Sequence, residues 1–217
     1  MLVCGIDEAG RGPVIGPLVM AGVLVEEGKL DKLRAMGVKD SKLLTHKQRK
    51  ELFEKIKRAV KKHEIIVIEP AEVDDALMSD HLNLNWLEAH KAADIINALQ
   101  PDKAVVDSPS NNCAAYKRYL VKLLKNKDID VLVEHKADVN YVECGAASIL
   151  AKVTRDAEIE KIKRSVGDDF GSGYMADPKT KLFLEKKFEV HPEIFRKTWT
   201  PYKDLVKAKK QKKIGEF

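Results

Sequence analysis

Only three cysteines occur in the 217 residues, Cys4, Cys113 and Cys144. They are odd in number, widely spaced and without a C-x-x-C pair, which argues against a disulfide framework or a cysteine-rich zinc site and leaves reduced, buried thiols. No apolar run approaches the roughly 18 residues of a membrane-spanning helix. The apolar start at Leu2 is broken by Asp7 before a secretory leader could form. A P-loop, a G-x-S-x-G elbow, His/Cys metal spacing, an internal repeat and a long linker are also missing. The expectation is one compact, soluble, cytoplasmic monomer with no membrane contact.

Charge, by contrast, is abundant and unevenly placed. Charged residues make up 34% of the chain and the net charge is +5. Residues 196–217 hold eight basic and two acidic residues, a net of +6, so residues 1–195 carry −1. A basic C-terminus of this kind is either a solvated tail or an electrostatic grip on nucleic acid.

The stretch Val3 to Pro17, V-C-G-I-D-E-A-G-R-G-P-V-I-G-P, organises the rest. An apolar strand is expected to stop at Asp7 and Glu8, because neighbouring side chains on a strand face opposite ways and two consecutive acids share a site only where the backbone turns. Gly10 and Gly12 can supply that turn through positive φ, and they let the peptide units around Arg11 approach a ligand closely. Backbone donors and a cation beside two carboxylates suit a phosphodiester held against a divalent ion.

Pro17 to Glu26 reads as a second buried strand, antiparallel to the first. Thr45 and Gln48 form a capping box for a helix running to about His63, and Glu64 to Glu69 is a third strand. Helices follow over Pro70 to Met78 and Asn83 to Leu99, the latter burying Trp86, Ala89, Ala93 and Ile96. Lys103 to Asp107 repeats the opening device, a short apolar strand ending on an aspartate. Ligands gather beyond the carboxyl ends of adjacent strands, so Asp107 can stand beside Asp7. It can equally cap the next helix. After a fifth strand, Asp130 to Glu134, comes H-K-A-D with Asp138 just ahead of a long helix from about Tyr141 to Val166, carrying Lys152 and Arg155. A Gly-rich loop, Gly167 to Pro178, displays Tyr174. V-K-D-S-K, Val38 to Lys42, is a turn with phosphate-binding capacity. The pattern is α/β.

Asp7, Glu8, Asp107 and Asp138 are hard oxygen ligands at strand ends and loop edges, a set that suits Mg²⁺ or Mn²⁺. Two such ions about 3.5 to 4 Å apart would serve phosphodiester hydrolysis. The motifs G-I-D-E-A-G-R-G-P, V-K-D-S-K, V-V-D-S-P, H-K-A-D, A-A-S-I-L-A-K and G-S-G-Y-M-A-D-P, in this order over nearly the whole chain, resemble those of ribonuclease HII, the type 2 ribonuclease H, in its archaeal form. That resemblance implies a ribonuclease H-like five-stranded mixed sheet flanked by helices, with a helical C-terminal extension. It implies metal-dependent cleavage of RNA in RNA/DNA hybrids and of single ribonucleotides in duplex DNA, leaving 3′-hydroxyl and 5′-phosphate ends. By the same resemblance Asp7, Glu8, Asp107 and Asp138 are the metal-binding acids, and Gly10, Arg11 and Gly12 contact the ribose 2′-hydroxyl. Tyr174 senses the junction, and Lys39, Ser41, Lys42 and Lys152 contact phosphates. Cys144-Gly145 and Met175 depart from the family pattern without touching the chemistry.

The expected organisation is a catalytic core over 1–140, helices over 141–210 that pack on it and complete the substrate groove, and a tail over 211–217. In the tail, Gln211, Ile214 and Phe217 recur every three residues, the period of a 3₁₀ turn. The spacing is similar to a sliding-clamp-binding peptide, with one aromatic where two are usual.

Overall fold

The computed structural model describes residues 1–38 and 44–214, the side chains of 212–214 excepted. Lys39, Ser41, Lys42, Phe217 and the side chain of Ile214 therefore lie outside the described residues. Five strands form one mixed sheet in the order β3-β2-β1-β4-β5. β1 (Leu2–Ala9), β2 (Leu18–Glu26) and β3 (Lys62–Ile68) are antiparallel neighbours, while β4 (Lys103–Asp107) and β5 (Asp130–Glu134) run parallel to β1. β1 is central and buried on both faces.

The period of two along β1 sorts its residues between two apolar layers. Cys4 and Ile6 pack with α3 (Pro70–Met78), α4 (Leu84–Leu99) and α5 (Cys113–Leu123) on one face. The other face carries α1 (Leu30–Ala35), α2 (His46–Ala59) and, after the short α6 (Ala137–Asn140), the long α7 (Val142–Val166). No side chain separates α7 from β1 at Gly5, where a Cβ would come within 2.2 Å of the Glu143 carbonyl carbon. α8 (Pro178–Lys187) and α9 (Thr200–Ile214) complete the molecule beyond a third cluster containing Val14, Ile15, Phe170, Phe183 and Phe195. Among the described residues no helix is long and apolar enough to cross a membrane.

Several expectations are corrected. β1 does not stop at Asp7 but pairs with β2 as far as Ala9 opposite Val19, because the apolar run of β2 continues the ladder past the acids. α2 ends at Ala59, since Lys62 and His63 are taken into β3 opposite Leu24 and Val23. The capping box is present, with Gln48 N donating to Thr45 Oγ1 at 3.3 Å and Thr45 N to Gln48 Oε1 at 2.8 Å. Trp86 is half-buried, stacked on Tyr119 at 4.2 Å between centroids. α9 is α-helical through Ile214, so Gln211 and Ile214 do not sit in a 3₁₀ turn. The run before Gly215 is rich in Lys, Ala and Gln, strong helix formers that carry the helix onward.

Candidate active site

Parity along the strands decides which acids meet. The parallel register pairs Gly5 with Val105 and Ile6 with Val106, and one further step sets Asp7 beside Asp107. Both belong to the face covered by α7, as do Val3 and Val105. Asp107 Oδ1 accepts from Ala137 N at 2.9 Å, which ties the first turn of α6 to the end of β4. Lys136, in the left-handed region at φ 59°, turns the chain into that helix. Asp138 is thereby brought in, and Asp7, Asp107 and Asp138 can each offer an oxygen with all three within 4.8 Å of one another. Gly145 lets α7 pass close behind, since a Cβ there would lie 3.0 Å from Asp138 O.

Glu8 is not part of that trio. It belongs to the opposite face of β1, the side of α4, and shares its surroundings with Glu88 and Asp107. No turn of the backbone brings the two acids together: Asp7 and Glu8 both lie within β1, opposite Ala21 and Met20, with their side chains on opposite faces.

Burial and like charge dominate the electrostatics. Burial, then the charges of Glu8 and Asp107, holds the Asp7 carboxyl well above the usual range, although Ser148 donates to it. Burial, then Glu88 and Asp107, pushes Glu8 up to about 8. Desolvated carboxylates crowded in this way favour either a proton or a cation. An all-oxygen donor set of this kind fits a hard divalent ion better than zinc or copper.

The loop after β1 borders an open cleft lined by Glu8, Gly10, Arg11, Gly12, Arg49, Lys152, Arg155 and Tyr174. Positive φ occurs at Gly10 (84°) and at Gly16 (85°), and Gly12 is not in the left-handed region. At Gly12 a Cβ would point at the Tyr174 ring, 3.6 Å from its Cε1. The side chain of Arg11 lies on the Glu8 side of β1, with Nε donating to Glu88 Oε1 at 2.9 Å and Nη2 to Asn85 Oδ1 at 2.7 Å. Lys152 Nζ donates to Ser148 Oγ at 2.7 Å, one helical turn back and next to Asp7. Tyr174 is 38% exposed across the cleft from Gly12.

The family model of ribonuclease HII matches residues 4–202. The chain belongs to the ribonuclease HII family. It is 44% identical to the ribonuclease HII of Pyrococcus furiosus, over 98% of this chain and 95% of that one. The crystal structure of ribonuclease H2 from Pyrococcus horikoshii superposes with a TM-score of 0.88 at 42% identity, covering 96% of this chain and 98% of the other. The ribonuclease HII of Archaeoglobus fulgidus, solved in a complex with PCNA, gives 0.84 at 40% identity over 92% and 96%. This is a metal-dependent endoribonuclease that cleaves RNA in RNA/DNA hybrids, and the mixed sheet with its C-terminal helices is the ribonuclease H-like fold.

Three residues of this ribonuclease HII were not singled out from the sequence in the roles they play. Glu88 is fully buried under Arg11. A signal existed, since the spacing puts it on the apolar stripe of α4 between Leu84 and Ala92. Arg155 is buried against Gly10 and Tyr174. Arg196, also fully buried, holds the loop after β1 from behind. Nothing in the pattern around Arg196 announced that contact.

Proposed function

We propose that Asp7, Asp107 and Asp138, joined by Glu8 from the other face of β1, hold two divalent ions, Mg²⁺ or Mn²⁺, for hydrolysis of the RNA strand. The observation that carries this reading is the approach of three carboxylates to within 4.8 Å beside a cleft rimmed by glycines. When bound, such ions would supply an activated water and charge relief for the departing 3′-oxygen, leaving 3′-hydroxyl and 5′-phosphate ends.

The chain's own residues select and place the substrate. The backbone of Gly10, Arg11 and Gly12 reads the 2′-hydroxyl, the group that separates RNA from DNA. Tyr174 stacks at a ribose-to-deoxyribose junction, a sequence-tolerant contact because every nucleotide offers a flat face. Lys152 takes a phosphate, together with Lys39, Ser41 and Lys42. Single ribonucleotides in duplex DNA are then substrates alongside long hybrids. On this reading residues 1–140 form the catalytic core and residues 141–210 close the groove. Gln211, Ile214 and Phe217 engage a sliding clamp, a role supported by the PCNA complex of the Archaeoglobus fulgidus relative.

The test is cleavage of duplex DNA carrying one ribonucleotide, with chelator, Mg²⁺ or Mn²⁺. Metal-dependent scission is expected. A preparation that cuts long hybrids but not this duplex would remove the junction-reading role, and one that cuts neither would remove the whole reading.

A further inference from the structure

We infer that Arg196 is a specificity-determining positioning residue, one that fixes from behind the peptide planes through which Arg11 and Gly12 offer N–H donors to a ribose hydroxyl. This rests on the reading that the loop after β1 meets the 2′-hydroxyl.

Arg196 is 0% exposed, and its guanidinium donates to three main-chain carbonyls. Nη2 reaches Gly10 O at 2.5 Å, Nη1 reaches Arg11 O at 2.8 Å, and Nε reaches Gly16 O at 3.1 Å. A buried guanidinium is costly unless its donors are satisfied, and its planar fork bonds in fixed directions. Among the described residues its hydrogen bonds end on backbone oxygens of one loop. The segment that carries it is itself anchored, because Asp74 accepts from Lys197 N at 2.8 Å, Thr198 N at 2.9 Å and Thr198 Oγ1 at 2.6 Å.

In a trans peptide the C=O and N–H point in opposite directions, and no cis bond occurs among the described residues. The carbonyl of Gly10 shares a plane with the N–H of Arg11, and that of Arg11 with the N–H of Gly12. Drawing both oxygens toward Arg196 therefore turns both N–H groups the other way, toward the cleft that Gly10, Arg11 and Gly12 line. Trp199 fixes the next plane through Nε1 to Gly12 O at 3.2 Å, and its ring lies 4.9 Å from the Arg196 guanidinium carbon. That plane ends at Pro13, which has no N–H to offer. Two consecutive donors are left, a small concave seat for one oxygen, with a cation behind the peptide dipoles.

If Arg196 only fastened the C-terminal segment to the core, its loss would weaken every ligand and the fold together. If it orients the loop, its loss should erase the preference for ribose first. The experiment measures binding of duplex DNA with one ribonucleotide and of the same all-DNA duplex, with Ca²⁺ in place of Mg²⁺, alongside cleavage kcat and KM in Mg²⁺ and thermal melting. Arg196→Lys keeps the charge but cannot span three carbonyls, and Trp199→Phe removes one donor while keeping a ring. Arg196→Lys is expected to lower the affinity ratio about tenfold or more, the worth of one misdirected hydrogen bond or more, with all-DNA binding unchanged. Trp199→Phe should move the ratio the same way by less. An unchanged ratio in folded Arg196→Lys, an equal fall in both affinities, or a wild type without ribose preference would overturn the inference. Should Arg196→Lys fail to fold, Trp199→Phe decides, and an unchanged ratio there overturns it. A wild type that cuts neither hybrid nor single-ribonucleotide duplex defeats the underlying reading instead, so the two failures are distinguishable.

Discussion

Arg155 lies beneath the ring of Tyr174, its guanidinium carbon 5.1 Å from the centroid, while its Nη2 donates to Ser172 O at 3.1 Å. The same side chain presses on Gly10, where a Cβ would stand 2.4 Å from its Cδ. One buried cation thus sets the distance between the glycine loop and the tyrosine across the cleft. Burial lowers its pKa from the usual arginine value.

Tyr174→Ala is expected to lower kcat/KM on a single-ribonucleotide duplex by about ten- to a hundredfold, the scale of about 1 to 3 kcal/mol for an aromatic stacking contact. Tyr174→Phe should be milder because the ring and its cation partner remain. Equal turnover by wild type and Tyr174→Ala would take Tyr174 out of the site.

Gly10→Ala meets Arg155 on one side and Pro17 O, at 2.8 Å, on the other, with φ at +84°. The left-handed backbone alone costs about 1 to 2 kcal/mol for an alanine. A lower melting temperature with a disproportionate loss of activity is expected, since the strain falls on the loop that borders the acids. A variant with wild-type turnover would contradict this.

Asp7→Asn and Asp107→Asn should each abolish cleavage by more than about a hundredfold, as for other electrostatic catalytic groups. Hybrid binding should survive, because neither change alters side-chain volume. Near-full activity of either at saturating Mg²⁺ would remove the metal-site assignment.

Without metal, stability should fall as pH rises. Glu8, raised from 4.5 to about 8 chiefly by burial, and Asp7, also raised, hold protons in the folded state that the unfolded chain releases near pH 4. By linkage their contribution is fully present below the unfolded values and is lost as pH climbs toward about 8. Added Mg²⁺ or Mn²⁺ should raise the melting temperature more at pH 8 than at pH 5.5, since the ion replaces protons that are no longer bound. A metal-induced shift independent of pH would refute it.

A peptide of residues 206–217 is expected to bind a cognate sliding clamp at micromolar affinity, about −8 kcal/mol. Removal of residues 211–217 should end that binding without changing cleavage by the isolated enzyme. Calorimetry with no heat from the peptide would count against it.

Much of the site could be read from residues because its device is repeated. Asp7 and Asp107 each follow a short apolar run, and parallel pairing brings the two runs level. Asp138 was visible only as part of H-K-A-D. The one-turn helix that presents it depends on a left-handed Lys136 and on Asp107 capping Ala137, neither of which leaves a pattern. The end of β1 is not legible in its own residues, because β2 carries pairing past the acids. Arg196 escaped because its partners are carbonyls, which every residue has, 180 or more positions away in the chain.

That separation has a consequence for the order in which function appears during synthesis. The sheet, the acids and α7 are all encoded before residue 167, whereas the guanidinium that holds the loop after β1 arrives with residue 196 and its tryptophan neighbour with residue 199. Contacts between such distant segments form late, after the chain between them has been ordered. A nascent chain halted before this point would carry the acids but leave the carbonyls of Gly10, Arg11 and Gly16 without their guanidinium. The loop after β1 is therefore secured only once the segment around residue 196 has been made.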